Sequence, residues 1–395
     1  SPNTTNTESY DGTSFTALSA LPTANRLQMG SGDTSSAVSY GGGPGTVVTT
    51  AFTWDGSSWS TSPATLGTAR DEGSSSGTGS AAVTGGGSPP DAGLSIAEEY
   101  NKSATVITAA AFSSGGNINT ARYDIVGTGL QTAAVAAGGY SSSRVGNTEN
   151  YDGSAWTNSS TKPTAVFAGA MVGTQTAAFY ASGNNAPSGG RTASTEEYDG
   201  SNWTSGGNVN TARQQIGAQN GGTLTAGIIF GGNGGPTATE HYDGTSWTTQ
   251  PATLNDGRWN AIGTGNQTAA VMAGADNPAT SNVEEYNGTS WSEVNNLPEI
   301  RYSGATIGTA QTDYIIASGQ APGGYLTSSV RYDGTNWATS PSNSTARSLL
   351  GGSSQAPTSA GLIYGGYLPS ASNSNATEEF TGETAAVNVK TLTQS

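Results

Sequence analysis

Seven of the ten arginines and seven of the glutamates fall at fixed places in a recurring pattern, a combination that could supply acids beside cations. Arg70, Arg122, Arg213 and Arg347 each end a Thr-Ala-Arg triplet, and Arg26, Arg258 and Arg301 close looser versions of it. Glu8, Glu98, Glu149, Glu196, Glu240, Glu284 and Glu378 each stand two residues before an aromatic. A carboxyl group beside a guanidinium can move a proton or steady a developing charge. Catalysis, however, needs one asymmetric constellation, and these residues recur in nearly every repeat. Their expected work is structural: a buried guanidinium with carboxylate and carbonyl acceptors ties strands together, and its loss leaves an unpaired charge. His241, the single histidine, alternates with Glu240 in a strand-like segment and is expected to be solvated. The absence of cysteine removes disulfides, thiolate nucleophiles and cysteine-ligated zinc or iron–sulfur centres.

Residues off the pattern are the candidates for recognition. Six of the eight tryptophans share one repeat position, where packing between repeats is expected. Trp259, Tyr140, Tyr325 and Tyr367 lie elsewhere, and Tyr140 and Tyr367 directly follow a Gly-Gly, where a connecting loop opens. Arg144, Arg191 and Arg331 are the arginines outside the repeat. Tyr140, Arg144, Arg191, Trp259, Tyr325 and Tyr367 are therefore the candidate binding residues. No catalytic residue, metal site or cofactor is expected. The glycine-rich stretch 183–190 lacks the lysine and following helix of a phosphate loop.

The element that must position these residues is seen most clearly at residues 195–204, T-E-E-Y-D-G-S-N-W-T. Thr, Tyr and Trp favour strands, and the intervening Asp-Gly predicts a tight type I′ hairpin turn. The hairpin aromatic recurs at Tyr10, Trp54, Tyr100, Tyr151, Tyr198, Tyr242, Tyr286, Tyr332 and Phe380, a spacing of 44 to 51 residues. Five positions later stands Phe15, Trp59, Trp156, Trp203, Trp247, Trp291 or Trp337. Between one hairpin and the next come the arginine landmark and then an Ala-rich segment that ends in glycine, as at 127–139. Each repeat thus reads as four strands: an Arg-led strand a, an Ala-rich strand b, the Glu-Tyr strand c and the Trp strand d. Three places depart from the pattern. Val166 stands near the arginine position of the fourth repeat; Val106-Ile107 or Phe112 must replace the missing tryptophan of the third; and an alternating strand is expected at 386–389.

Composition agrees with this reading. With 395 residues the chain is too long for one ordinary core, and 58 glycines among abundant Ser and Thr suit short strands joined by turns. A net charge of −15 with only 13 basic residues provides no stripe for phosphate backbones, so nucleic-acid binding is not expected. No apolar run approaches a membrane span, so membrane insertion is not expected either. The first residues have no charged and apolar leader signature.

Four-stranded units of this period, with Gly-Gly after strand b, Tyr-Asp in strand c and Trp in strand d, resemble kelch repeats over almost the whole chain. The resemblance implies an all-β, kelch-like β-propeller. Eight a–b pairs imply eight four-stranded blades in a single domain over 1–395, with segments 1–22 and 376–395 meeting in the blade that closes the ring. The glycine-rich repeats also resemble kelch-like structural proteins of tailed, marine bacteriophages. That resemblance implies a non-enzymatic structural or adhesion protein, extracellular or on a virion. Its partners would be other proteins of the assembly, further copies of itself, or a host-surface receptor or glycan. A secreted lectin-like propeller is the alternative, and a polysaccharide-acting enzyme a third reading. Radical copper oxidases on kelch-like propellers need two histidines and a Cys-linked tyrosine, and sialidase-like propellers need an arginine triad; neither set is present. The c–d turns are nearly uniform whereas the b–c loops differ in every repeat, so the b–c/d–a face is expected to be the working one.

Overall fold

In a computed structural model the chain is all-β. The structure describes residues 3–43, 45–88, 93–101, 105–186, 190–216, 221–387 and 391–394, and none of these lies in a helix. The c–d hairpin forms where its aromatics predict, with Tyr198 opposite Trp203, Tyr242 opposite Trp247 and Tyr286 opposite Trp291. The turn differs from the expected type I′. Only the glycine takes a left-handed backbone, as at Gly200 with φ 98°, while the Asp199 Oδ1 accepts the N–H groups of Ser201 at 2.8 Å and Asn202 at 2.6 Å. The aspartate side chain does what a second positive φ would otherwise do, which explains why Asp or Asn precedes the glycine in nearly every copy.

Among the described residues there are eight four-stranded antiparallel sheets, an arrangement consistent with a β-propeller. They fall in two compact units, Ala109–Glu383 and Ser1–Thr108 with Thr384–Ser395. The first unit holds six. A representative sheet runs Val126–Leu130, Ala133–Ala137, Thr148–Tyr151 and Trp156–Asn158 as strands a to d. The a strands adjoin one another in sequence: Val126–Leu130, Ala170–Thr174, Gly221–Thr223, Ile262–Asn266, Ala305–Ala310 and Gly351–Gly352, the last of which returns to the first. The circuit therefore closes after six sheets, not after the eight expected from the repeat count. Its last sheet, Gly351–Gly352, Ala360–Tyr364 and Thr377–Thr381, takes its outer strand from Ala111–Ser114 at the other end of the unit. Phe112 packs on Phe380 there, with ring centres 5.0 Å apart, and so replaces the missing tryptophan of the last repeat.

Conserved wording within the repeat becomes contact between sheets. The Trp247 indole N–H donates to Thr195 Oγ1 of the preceding sheet at 2.9 Å, and Trp156, Trp203 and Trp291 do the same to Thr377, Thr148 and Thr239. The glutamine of the a–b turn spans the same gap: Gln175 Nε2 donates to the Ala134 and Tyr151 carbonyls at 2.9 and 2.7 Å. Between sheets, apolar area is supplied by rings such as Phe179, which packs edge-on against Tyr242 and Trp247.

The second unit has two four-stranded sheets. One is Met29–Gly32, Ala37–Tyr40, Ala51–Trp54 and Trp59–Thr61. The other is Ser74–Gly77, Ala81–Gly85 and Ala97–Asn101, completed by Thr391–Gln394. Thr105–Thr108, which contains Val106-Ile107, pairs instead with Thr384–Val387. Among the described residues, the two ends of the chain share no sheet, in place of the closing blade expected from 1–22 and 376–395. Glu8–Tyr10 pairs only with Phe15–Ala17, and Tyr10 and Phe15 are 54% and 69% exposed. The surplus strands at the two ends found other partners because a strand edge is completed by any extended segment of matching length, and sequence pattern alone does not name which. Of the expected strand at 386–389, residues 388 and 389 lie outside the described residues.

Candidate binding face

Most of the recurring arginines and glutamates are absorbed by the scaffold, whereas Arg26 and Glu8 are exposed, contrary to the expectation of a buried pair. Arg70, Arg122 and Arg213 pair with Glu98, Glu149 and Glu240, and Arg258 and Arg347 reach Glu284 and Glu378 at 2.8 Å, all five guanidinium groups being buried. Four of the five, all but Arg258, also gather loose backbone carbonyls. Arg347 Nη1 donates to the Gly365 and Ala376 carbonyls at 3.3 and 2.8 Å, and Glu378 Oε2 accepts the Ser344 N–H at 2.7 Å. Burial pulls the Arg213 and Arg347 guanidinium groups below their usual range, and the partner carboxylates act in the opposite direction.

Two repeats solve the same problem differently. Where Val166 occupies the arginine position, the Lys162 ammonium enters from four residues upstream to reach Glu196 at 2.6 Å and lies 4.6 Å from the centre of the Tyr180 ring. Where Val330 replaces the strand-c glutamate, Arg301 turns to Glu299 at 2.7 Å, a carboxylate whose side chain is 45% exposed, and to the Ser318 and Ser328 carbonyls. His241 is not the solvated residue expected. It is half-buried, its ring centre lies 5.9 Å from that of Tyr286 in an edge-to-face arrangement, and burial lowers its pKa.

Two positions after the arginine, the chain enters the left-handed region in every sheet of the larger unit: Asp124, Ala168, Gln215, Asn260, Ser303 and Leu349 have φ between 48° and 57°. Their backbones form a closed circle in which each N–H donates to the preceding carbonyl, from Ala168 to Asp124 and onward to Leu349, while the Asp124 N–H donates to Leu349 at 2.8 Å. The circle surrounds a cavity of about 30 Å³, room for a single water. Among the described residues Asp124 is its one carboxyl group, and desolvation raises it to about 7. Around the circle lies a second ring of residues, the ones directly after the arginine, each bridged to the start of a b–c loop: Tyr123 to Tyr140, Phe167 to Asn184, Trp259 to Asn277, Tyr302 to Gln320 and Ser348 to Tyr367. The b–c and d–a connections therefore share one face.

The candidate residues all lie on this face, in different sectors. Tyr140 and Tyr367 come together through Tyr123, with ring centres 5.4 and 5.0 Å from it, and Phe167 lies 5.6 Å from Tyr140. Arg144 extends this arc: its guanidinium is 5.4 Å from the Phe167 ring centre and donates to Asn184 Oδ1 at 2.9 Å and to the Ala186 carbonyl at 2.6 Å. Arg191 donates to Asn233 Oδ1 in another sector. Trp259 stands beside Asn277, and Tyr325 lines an open cleft of about 490 Å³ with Ile300, Pro322 and Leu326. Pro89, Pro90 and Asp91 of the 86–95 loop, and 187–189 of the loop that carries Arg191, lie outside the described residues. Sequence reasoning missed Tyr123 and Phe167. The signal was an aromatic directly after the strand-a arginine position, repeated at Trp259 and Tyr302. No protein-family model and no curated protein matches the sequence.

Proposed function

We propose that the chain is a non-enzymatic structural or adhesion protein of an extracellular assembly such as a phage virion, built from kelch-like propeller blades. In this reading the six sheets of Ala109–Glu383 are the blades of one closed propeller, and the circle of six backbone hydrogen bonds around its axis supports that count. The observation that carries the functional reading is a division of labour. The recurring arginines and glutamates form near-identical buried pairs in most sheets, whereas Tyr140, Arg144, Arg191, Trp259, Tyr325 and Tyr367 stand at least partly exposed on the b–c/d–a face. The partner is a neighbouring protein of the assembly or a receptor on a host surface. Mass spectrometry of purified particles against culture supernatant tests the location, and recovery from supernatant alone overturns it. Replacing Tyr140, Arg144, Arg191 and Tyr325 together by Ala is expected to abolish incorporation or attachment, while Thr245→Ala with Ser246→Ala in a c–d turn leaves both intact. The reverse result moves the working surface to the opposite face.

A further inference from the structure

We propose that the arc formed by Tyr123, Tyr140 and Tyr367, flanked by Phe167 and Arg144, is a binding site for a neutral glycan. The inference rests on the adhesion reading and names the ligand class of its working face.

The chemistry lies in what these tyrosines leave unused. Four strand-c tyrosines of the larger unit bury their rings and spend their hydroxyls internally: Tyr286 donates to the Gly288 carbonyl at 2.8 Å, Tyr198 to Gly200 at 2.7 Å, and Tyr151 and Tyr242 to Glu379 and Glu197. Tyr123, Tyr140 and Tyr367 keep part of their surface in solvent, and among the described residues no protein group hydrogen-bonds their hydroxyls. A partly exposed ring with a free hydroxyl suits a pyranose, whose C–H-rich face packs on the electron-rich ring while its hydroxyls take the polar tip. The surrounding polar groups are of the matching kind. Asn373 Nδ2 donates to the Tyr140 and Ser141 carbonyls, and Asn184 lies between Arg144 and Gln214. Aromatic walls with a few fixed donors and acceptors are the usual make-up of a small-ligand site.

The charge pattern selects a neutral sugar. Arg144 already commits Nε and Nη2 to Asn184 and Ala186, so the cation is anchored rather than offered as a free fork. The whole chain, at −15, repels polyanions at a distance.

A glycan array containing neutral, sialylated and sulfated structures, followed by titration calorimetry on the best neutral binder, tests the proposal on the full chain. Tyr140→Ala and Tyr367→Ala are each expected to weaken binding by about tenfold or more, and Tyr140→Phe, which keeps the ring, by less. Melting temperatures of the same variants establish that they are folded, and Thr245→Ala is the distant control. Binding of anionic glycans only, or of none, overturns the proposal, as does neutral binding that survives both alanine variants. The two readings fail separately: if the face variants lose attachment to particles or cells while the array is blank, the partner is a protein and only the glycan is lost.

Discussion

Tyr242 and Tyr140 are the same side chain put to opposite uses. Tyr242 is fully buried, stacked 4.9 Å from Trp247, with its hydroxyl on Glu197 of the neighbouring sheet, and burial together with that carboxylate pushes its ionisation well up. Tyr140 stands at the mouth of a b–c loop with a partly exposed ring and a hydroxyl that no described protein group engages. The difference shows how a repeat protein separates stability from recognition. The strand-c tyrosines of the larger unit are closed on neighbouring groups, and the loop tyrosines are left open.

The comparison breaks most forcefully at the buried ion pairs. Glu240→Ala leaves Arg213 buried without its carboxylate and is expected to cost about 3–5 kcal/mol in urea denaturation. Glu299→Ala removes a partner that is largely in water, and Arg301 keeps the Ser318 and Ser328 carbonyls, so the expected loss is about 1 kcal/mol or less. Equal losses would mean that the two sites are not distinguished by burial. Next in size is the indole latch. Thr195→Val takes the acceptor from the buried Trp247 N–H and is expected to cost about 1–3 kcal/mol, while Thr245→Val in the exposed turn stays within about 0.5 kcal/mol.

A pH-dependent effect belongs to Asp124. Its folded pKa, about 7, lies above the ordinary aspartate value of 3.8, so the folded state holds the proton more tightly. The stabilisation this gives is complete below the unfolded pKa and is lost as pH rises through about 7. Asp124→Asn removes the titration, and asparagine tolerates the left-handed backbone. The unfolding free energy of the variant relative to the parent, read by urea denaturation, is therefore expected to climb between pH 4 and about pH 7, with a slope of no more than about 1.4 kcal/mol per pH unit. A constant difference would show that the carboxyl is already ionised at acid pH.

The strands, their order within each sheet and the structural role of the arginines were legible in the sequence because each rests on local alternation repeated many times. Lys162 was not legible: an ammonium on a four-carbon stem reaches the arginine place from a different residue, so the spacing to its glutamate changes. The pairing of Ala111–Ser114 with Thr377–Thr381 was hidden for another reason, since a strand that closes a circuit has no turn to announce its partner. The loop candidates were legible as exceptions to the pattern. The circle through Asp124 and Leu349 was not, because it is written in backbone dihedral angles and the six side chains there share no chemistry.

The finest test of the comparison removes one oxygen atom at a time. In Tyr242→Phe the Glu197 carboxylate loses its donor at a partly buried site, and the ring stays where it was; a cost of about 1–3 kcal/mol is expected. Tyr140→Phe and Tyr367→Phe delete hydroxyls that no described protein group engages, so stability should stay within about 0.5 kcal/mol of the parent. All three variants keep the aromatic area and the loop or strand that carries it, so the contrast isolates the hydrogen bond from the packing. Urea denaturation of the three proteins under one set of conditions reads it directly. If Tyr140→Phe proves as costly as Tyr242→Phe, the hydroxyls of the open face are held within the protein and are not free for a ligand. If both face variants are silent in stability while Tyr140→Phe still weakens a bound sugar, the same oxygen atom is assigned to recognition.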